Sequence, residues 1–280
     1  MSDPRLLGTL RHMADRLDTH DDGIPREQDL DEALDRIVEA GTPRLHRRWP
    51  DLLATGTIAG IEVGFGVLAL LVVEHETGST LLGGLAFSVG FVALLLGRSE
   101  LFTEGFLVPI TVVVAKHASW AQLARLWIGT LAGNLLGGWV VTWLVIQGLP
   151  TLREQALESA RPFGEAPLGL RSFCLAVLAG AAITLLTRMQ NGTDADTAKI
   201  AAAVATAFVI VGSGLLHSVL DSLILFAALH TGEAPFGYAD WLGFLGWTVL
   251  GNLLGGVGLT TLLRLIRSRR QLVEQRQRVA

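Results

Sequence analysis

The hydrophobic positions of this chain fall into six long apolar segments separated by shorter polar connections. A helix needs roughly 20 consecutive apolar residues to cross the hydrocarbon core of a bilayer, and runs of this kind are typical of membrane-crossing helices. The pattern therefore predicts an all-α membrane protein with six transmembrane helices. The segments lie at about residues 52–73, 81–114, 126–146, 173–188, 200–231 and 242–266.

The second and fifth segments are too long for one straight crossing and contain residues that interrupt a helix. Gly97 and Pro109 flank a charged stretch in the second segment, and Gly212 and Gly214 interrupt the fifth just before His217. Irregular backbone persists at membrane depth only where it is buried in protein or lines a polar cavity. We therefore expect two broken helices whose breaks face a common pore.

An internal repeat links the two halves of the chain. The sequence Gly-Asn-Leu-Leu-Gly-Gly occurs at residues 133–138 in the third segment and again at 251–256 in the sixth. Each half then contains three crossings, and because three is odd the halves face opposite ways, as in inverted-repeat channels and transporters. Glycines four residues apart let helices approach closely, whereas Asn134 and Asn252 at membrane depth need hydrogen-bond partners.

The basic residues indicate how the chain is oriented. Connections 74–80 and 232–240 carry no Lys or Arg, whereas the alternate connections and both termini do. The positive-inside rule then predicts a multi-pass protein of a bacterial-type inner membrane with both termini in the cytoplasm. Connection 147–172 departs from this rule with three arginines and three glutamates, and we expect a short extracellular helix and loop there.

The polar ends flank the membrane domain. Apolar residues between Gln28 and Ala40 recur at helical spacing, which predicts an amphipathic surface helix, and the basic and aromatic cluster that follows suits the headgroup layer. The chain therefore divides into a cytoplasmic N-terminal arm, a six-helix channel domain with two inverted repeats, and a cytoplasmic C-terminal tail: 1–50, 51–268 (repeats at about 51–146 and 173–268) and 269–280.

Composition agrees with a membrane protein and excludes several other classes. Half of the 280 residues are hydrophobic, 17% are charged, and the mean hydropathy is +0.47. The net charge of −4 does not point to nucleic acid as a partner. A single cysteine, Cys174, excludes an intramolecular disulfide and a Cys-x-x-Cys site. No P-loop, His-Glu-x-x-His or Gly-x-Ser-x-Gly motif occurs, so we expect no enzyme, no metal and no cofactor.

His217 is the one histidine of seven that lies deep in an apolar segment. An ionisable side chain is costly there, by about 2.5 to 3.5 kcal/mol for a formal charge at the helix centre, so its position after a break favours function over packing. An imidazole can donate or accept a hydrogen bond and can gain a proton, which suits a permeating anion or weak acid. In the opposing break, Thr103 offers a hydroxyl to the same pathway, and Leu101 and Phe102 are bulky enough to form an apolar constriction.

Further ionisable residues lie in or near the apolar segments. Asp221 comes one turn after His217, on the same helix face. Two interpretations remain open: a structural ion-pair network that holds the broken segments, and a direct proton or anion relay. The residues concerned are Glu62, Arg98, Glu100, Glu104 and Asp221.

Together these motifs resemble the formate/nitrite transporter family. The resemblance rests on Ser-Glu-Leu-Phe-Thr at residues 99–103, the break before His217, and the two Gly-Asn-Leu-Leu-Gly-Gly sequences, and it extends over about residues 45–268. It implies an aquaporin-like six-helix protomer, a homopentamer in the lipid bilayer, and one pore per protomer for small monovalent anions or their conjugate acids.

The resemblance also implies roles for individual residues. It places Leu101, Phe102 and Thr103 at the cytoplasmic constriction, makes His217 the central relay, and gives Asn252 a hydrogen bond near that centre.

Some residues depart from the family pattern. Leu216 stands where formate and nitrite channels usually have a glutamate before the histidine, and Gly180 stands where they usually carry an asparagine. The outer-vestibule lysine has no counterpart around Gly164, and Arg161 and Arg171 are candidates to replace it. These departures indicate a divergent subgroup.

The sequence therefore predicts a channel or transporter for small monovalent anions or weak acids, formate- or nitrite-like, with a histidine relay. The alternatives are a pore for a neutral solute, a proton-coupled transporter that uses Asp221 and Glu104, and a closed, non-transporting membrane assembly.

Overall fold

The structure, a computed structural model, describes residues 27–165 and 167–267, and within them every regular element is a helix. The predicted tail and the first 26 residues of the predicted arm lie outside this part. The helices are α1 (Glu27–His46), α2 (Trp49–Thr77), α3 (Thr80–Gly97), α4 (Val108–Val114), α5 (Trp120–Gly148), α6 (Arg153–Gly164), α7 (Leu170–Asn191), α8 (Asp196–Gly212), α9 (Ser218–Thr231), α10 (Tyr238–Leu253) and α11 (Leu263–Arg267). Short 3₁₀ helices cover Phe102–Phe106 and Pro150–Leu152, and a π-helix covers Leu254–Leu262.

Five helices are long and apolar enough to cross a membrane: α2, α3, α5, α7, and α10 with its π-helical continuation. The remaining crossing consists of α8 and α9, which are separated by a short break. Another break, the earlier of the two along the chain, follows α3, where the 3₁₀ turn and α4 continue the second apolar segment. The predicted all-α membrane fold, with broken second and fifth crossings, is confirmed.

Local sequence explains where the crossings begin and end. Ser119 starts α5 with a capping box, in which its hydroxyl accepts a hydrogen bond from the Gln122 N–H and the Gln122 side chain bonds back to the Ser119 N–H. Gly78 ends α2 in the left-handed region, at a φ of 64°, and Gly232 ends α9 in the same way, at 76°. Glycine adopts this conformation without strain, so each helix stops sharply at the end of its apolar run.

The two halves use the same close packing between helices. In the first half α2 packs against α5, and in the second half α7 packs against α10. A Cβ atom on Gly60 would overlap the carbonyl oxygen of Asn134, and a Cβ on Gly180 would overlap that of Asn252. The backbones of each pair are therefore in direct contact at the level of the repeated asparagine, as glycines four residues apart predict.

Two helices lie outside the crossings. Helix α1 covers the region of the predicted amphipathic helix and packs against α4. Helix α6 lies in the connection between the two repeats and packs against α9. These helices border the two ends of the crossing bundle, and we refer to the ends as the α1 side and the α6 side.

Candidate functional site

The first break begins where α3 ends at Gly97. Arg98 follows in the left-handed region, at a φ of 53°, which turns the chain out of the helix axis. Leu101 is extended, with φ −86° and ψ 135°, and the 3₁₀ helix Phe102–Phe106 follows. The segment thus crosses the interior as irregular backbone, whose polar groups need partners.

Asn134 supplies those partners from α5. Its Oδ1 accepts a hydrogen bond from the Phe102 N–H at 2.8 Å. Its Nδ2 donates to the carbonyl oxygens of Glu100 and Gly56, both at 2.9 Å. Both N–H donors and the oxygen of the buried amide have partners, and the break is tied to α2 and α5 together.

The second break begins where α8 ends at Gly212. Gly214 has a φ of 60° and redirects the chain, as Arg98 does in the first break. His217 is extended, with φ −107° and ψ 120°, and it is the N-cap of α9.

Asn252 holds this break from α10. Its Oδ1 accepts from the Ser218 N–H at 2.9 Å, and its Nδ2 donates to the carbonyl oxygens of Leu216 and Ala176, both at 2.8 Å. Asn252 thus repeats the pattern of Asn134. In each break the amide bonds the carbonyl oxygen of one residue and the N–H of the residue two positions further along the chain. Leu101 and His217, which lie between those groups, therefore occupy equivalent positions in the two halves.

The His217 ring is fully buried and has a defined orientation. Its Nδ1 accepts the Leu220 N–H at 3.0 Å, so we assign the hydrogen of the neutral ring to Nε2. Nε2 lies 2.9 Å from the Thr103 hydroxyl oxygen, and the Phe91 ring packs edge-on to the imidazole. The imidazole thus presents an Nε2–H donor to the opposite break, and the predicted proximity of Thr103 and His217 is observed.

The predicted constriction residues surround this hydrogen bond. Leu101, Phe102, Thr103 and Leu216 are all buried. Phe102 packs edge-to-face on Phe106, with ring centroids 5.2 Å apart. Any solute that passes between the breaks meets apolar side chains on both sides of the buried hydrogen bond between Thr103 and His217.

Two residues that the sequence did not single out hold the first break in place. Trp127 Nε1 donates to the Gly105 carbonyl at 3.1 Å. The Thr261 hydroxyl, from the π-helical segment, donates to the Phe106 carbonyl at 2.6 Å. A tryptophan or threonine in an apolar segment carries no sequence signal for such a contact, because each is common on lipid-facing and buried surfaces alike.

A buried hydroxyl next to His217 is left without a partner. Ser218 Oγ is buried and forms no hydrogen bond within the described residues, and the same holds for Thr248 Oγ1 on α10. Buried polar atoms are nearly always paired, so an orphan beside the central histidine is a candidate contact for a solute.

The ionisable residues singled out by sequence form two separate groups. On the α1 side, buried Glu100 forms ion pairs with Arg44 and with Arg47, the latter at 3.0 Å. Glu62 accepts a hydrogen bond from Ser99.

Glu104 interacts electrostatically with this group, through the charges of Arg44, Glu100 and Glu62. Arg98 is exposed and forms no ion pair within the described part of the chain. Asp221 lies apart from the group, where its Oδ2 accepts the His217 backbone N–H at 2.7 Å. The first break is therefore bonded to the end of α1 and the residues after it, whereas Asp221 belongs to the second break.

A cavity of about 920 Å³ leads from the α6 side toward the second break. We call it the α6-side cavity. Its wall includes Glu74, Ser159 and Arg171 near the helix ends and Leu216 and Asp221 beside the break. A solute entering from this side would reach the residues next to His217 through this cavity. Among the residues described, no cluster of three or more His, Cys, Asp or Glu side chains could hold a metal ion.

Comparison with known proteins gives consistent matches over most of the chain. The model of the Formate/nitrite transporter family matches residues 31–266. The inner membrane protein YfdC of Escherichia coli K12 is 25% identical over 252 residues, which cover 87% of this chain and 80% of that protein. The formate channel FocA of the same strain is 26% identical over 243 residues, or 72% of this chain and 82% of that protein.

Two solved structures have the same fold. One is an FNT family ion channel, with a TM-score of 0.71 and 21% identity over 82% of this chain and 96% of that chain. The other is a pentameric formate channel with formate bound, with a TM-score of 0.68 and 21% identity over 78% and 96%.

Proposed function

The chain belongs to the formate/nitrite transporter family, and on that premise we propose that it is a membrane channel that passes small monovalent anions and their conjugate weak acids. The observation that carries the proposal is the buried Nε2 of His217, 2.9 Å from the Thr103 hydroxyl at the meeting point of two breaks. Family membership in turn supports a channel and gives no support for an enzyme. The similar protein FocA is named a formate channel, so formate is the first solute to test.

We further propose an orientation. The absence of Lys and Arg from connections 74–80 and 232–240 favours the α6 side as the extracellular side and the α1 side as the cytoplasmic one. The α6-side cavity is then an outer vestibule, and Leu101, Phe102 and Thr103 form the inner constriction. Similarity to an inner membrane protein supports placement in a bacterial-type inner membrane.

In this account His217 and Thr103 supply the polar contacts that a dehydrated solute needs. An anion leaves bulk water at the apolar constriction, where an unpaired charge is very unfavourable. There it displaces the Thr103 hydroxyl from Nε2–H and accepts a hydrogen bond from the imidazole. The donor stabilises the anion or its conjugate acid by this hydrogen bond. Because the neutral ring keeps its Nε2 proton, a proton that neutralises the anion has another source.

The ion pairs of Glu100 have a structural role in this account. Arg44 and Arg47 neutralise a carboxylate that the first break buries, and Glu62 adds a hydrogen bond to Ser99. Among the described residues this group bonds its own members and none of it bonds Thr103 or His217, which favours a network that holds the constriction over a relay that touches the solute.

We propose a homopentamer with one pore in each protomer. The support is a shared fold with a structure described as a pentameric formate channel. Leucine, valine and tryptophan side chains exposed on α3, α5 and α10 are available for contacts with lipid or a neighbouring protomer.

Solute uptake into proteoliposomes tests the function. Purified protein is reconstituted and offered formate, nitrite, acetate and hydrosulfide, with empty liposomes as the reference. We expect uptake of at least formate or nitrite that rises as the external pH falls. Uptake no faster than in empty liposomes for all four solutes would contradict a channel and favour the closed assembly. Cross-linking of the purified protein tests the pentamer separately.

A further inference from the structure

The α6-side cavity differs from a simple anion vestibule in the charge of its wall. Its cations, Arg161 and Arg171, lie at its exposed rim. The two least exposed ionisable residues in the wall are both carboxylic acids, Glu74 at 7% and Asp221 at 1% exposure. Neither forms an ion pair within the described residues. An anion that moves inward therefore leaves the positive charges behind and approaches carboxyl groups.

Glu74 is held by its own neighbours. Its Oε2 accepts hydrogen bonds from the Ser159 hydroxyl at 2.7 Å and from the Gln155 amide at 3.3 Å. It lies in the last turn of α2, far along the chain from the break. These contacts fit a residue that shapes the cavity wall and does not meet the solute at the centre.

Asp221 is bound on one side only. Its Oδ2 accepts the His217 backbone N–H at 2.7 Å, whereas its Oδ1 accepts no hydrogen bond from the residues that the structure describes. The side chain is almost fully buried and still forms part of the cavity wall. A buried carboxyl with a free oxygen therefore lies at the inner end of the cavity, bonded to the residue that carries the central imidazole.

We infer that Asp221 selects the solute by sharing a proton with it. The inference rests on the proposed channel function. An ionised Asp221 would repel an incoming anion strongly in this weakly hydrated place. When protonated, Asp221 donates its O–H to an anionic oxygen of the solute, and two carboxyl-type groups that share one proton form a strong charge-assisted hydrogen bond.

The transfer is balanced in protons. The O–H bond of Asp221 breaks and an O–H bond of the solute forms, so a monocarboxylate becomes its neutral acid and Asp221 becomes a carboxylate. Water in the α6-side cavity then returns a proton to Asp221 from the external solution. One proton enters with each anion, and the acid that moves on to His217 is neutral.

Few other charges face Asp221. The charged groups in the wall of the same cavity are Glu74 from α2, Glu158 and Arg161 from α6, and Arg171 from α7. Helices α5 and α10 and the 3₁₀ turn Phe102–Phe106 also pack against α9, and among the described residues they add no charged side chain to that wall. His217 contacts Asp221 through its backbone N–H.

Proton sharing with Asp221 gives a rule for solutes. Formate, acetate, nitrite and hydrosulfide are anions of weak acids and can accept the proton, whereas nitrate and chloride are anions of strong acids and cannot. We therefore expect the wild-type protein to transport nitrite and to exclude nitrate, although the two anions have the same charge and similar size. Nitrate uptake as fast as nitrite uptake would contradict proton sharing.

Asp221→Asn tests the residue directly. The amide keeps the shape and can still accept the His217 N–H, so the start of α9 is retained. Formate uptake into proteoliposomes is measured together with proton uptake, at membrane potentials set with potassium and valinomycin. We expect the wild type to take up one proton per formate, independently of potential. We expect Asp221→Asn to lose the coupled proton, so that its remaining uptake depends on potential and no longer on external pH.

The control is Glu154→Gln, which removes an exposed carboxyl from α6 outside the cavity wall. It should retain one proton per formate. If Asp221→Asn transports nothing, Asp221→Glu is the second test, because it restores a carboxyl group. Recovery of proton-coupled uptake in Asp221→Glu supports the inference. No uptake in either variant, when both are correctly assembled, contradicts it. Unchanged coupling in Asp221→Asn also overturns it. A wild type that transports none of these solutes would instead contradict the channel function, and the inference with it.

Discussion

Asn134 and Asn252 form the same three hydrogen bonds in opposite halves of the protein. Each side-chain oxygen accepts an N–H just after a break, and each amide nitrogen donates to a carbonyl within the break and to one on a neighbouring helix. Irregular backbone is tolerated at membrane depth only when its polar groups are paired. The repeated asparagine is therefore what allows both crossings to be interrupted where Thr103 meets His217.

Removal of either amide should destabilise the protein. Asn134→Leu and Asn252→Leu each leave one N–H and one carbonyl of a break unpaired, and each such group costs about 1 to 3 kcal/mol. We expect a loss of at least about 2 kcal/mol in the free energy of unfolding, seen as a lower Tm in detergent. Gln147→Leu, which replaces an exposed amide at the end of α5, should change Tm little. A normal Tm for both asparagine variants would contradict the role assigned to them.

Small residues beside these asparagines should be equally sensitive. Gly60→Ala and Gly180→Ala place a Cβ on the carbonyl oxygens of Asn134 and Asn252, so α2 and α7 must move away from their partners. We expect poor yield of assembled protein and reduced uptake. Gly246→Ala on α10 meets nothing within 4 Å and should behave as wild type in size-exclusion chromatography. Equal yields of all three would show that the helices are not in close contact.

The general architecture could be predicted from sequence because its signals are local. Segment length, the Gly and Pro positions and the repeated Gly-Asn-Leu-Leu-Gly-Gly predict the crossings, the two breaks and the inverted halves. Those features depend on residues close together in the chain, or on a short sequence that is identical in the two halves. The contact between Thr103 and His217 follows from the same reasoning, since inverted halves bring their breaks together.

The partners of Glu100 could not be predicted in the same way. Arg44 lies 56 residues from Glu100 in the chain, in a cluster that the sequence favours as a headgroup contact. Arg98, only two residues from Glu100, is the partner that the sequence would suggest. The left-handed turn at Arg98 leaves its side chain exposed, whereas the end of α1 brings Arg44 to the buried carboxylate. Such pairings depend on how α1 packs, which a charge pattern does not specify.

Loss of Arg44 should therefore weaken the first break. Arg44→Ala removes a charge-assisted hydrogen bond to a buried carboxylate, and such bonds contribute about 1.5 to 3 kcal/mol. We expect a lower Tm and altered formate flux. Arg48→Ala is the matched control, because Arg48 is 88% exposed in an ion pair with Asp51 and surface pairs contribute little. If the two variants lower Tm equally, the pair of Arg44 and Glu100 has no special structural role.

Ser218 gives a prediction that separates function from stability. Its buried hydroxyl has no partner in the described structure, so Ser218→Ala removes an unpaired polar group and should leave Tm unchanged or slightly raised. Formate uptake should fall, because the solute loses a hydrogen-bond partner beside His217. Normal uptake with a lower Tm would instead indicate a structural hydroxyl.

The central claim is that the His217 Nε2–H contacts the solute, and one comparison of variants tests it most directly. His217→Asn keeps an N-cap for α9 but is too short to reach the Thr103 hydroxyl, whereas His217→Phe removes both functions. Formate uptake is measured for both in proteoliposomes, after equal assembly is verified by size-exclusion chromatography. We predict that His217→Asn keeps a Tm near wild type and loses uptake by roughly tenfold to 150-fold, the effect of one strong hydrogen bond. Full uptake by either variant would contradict it.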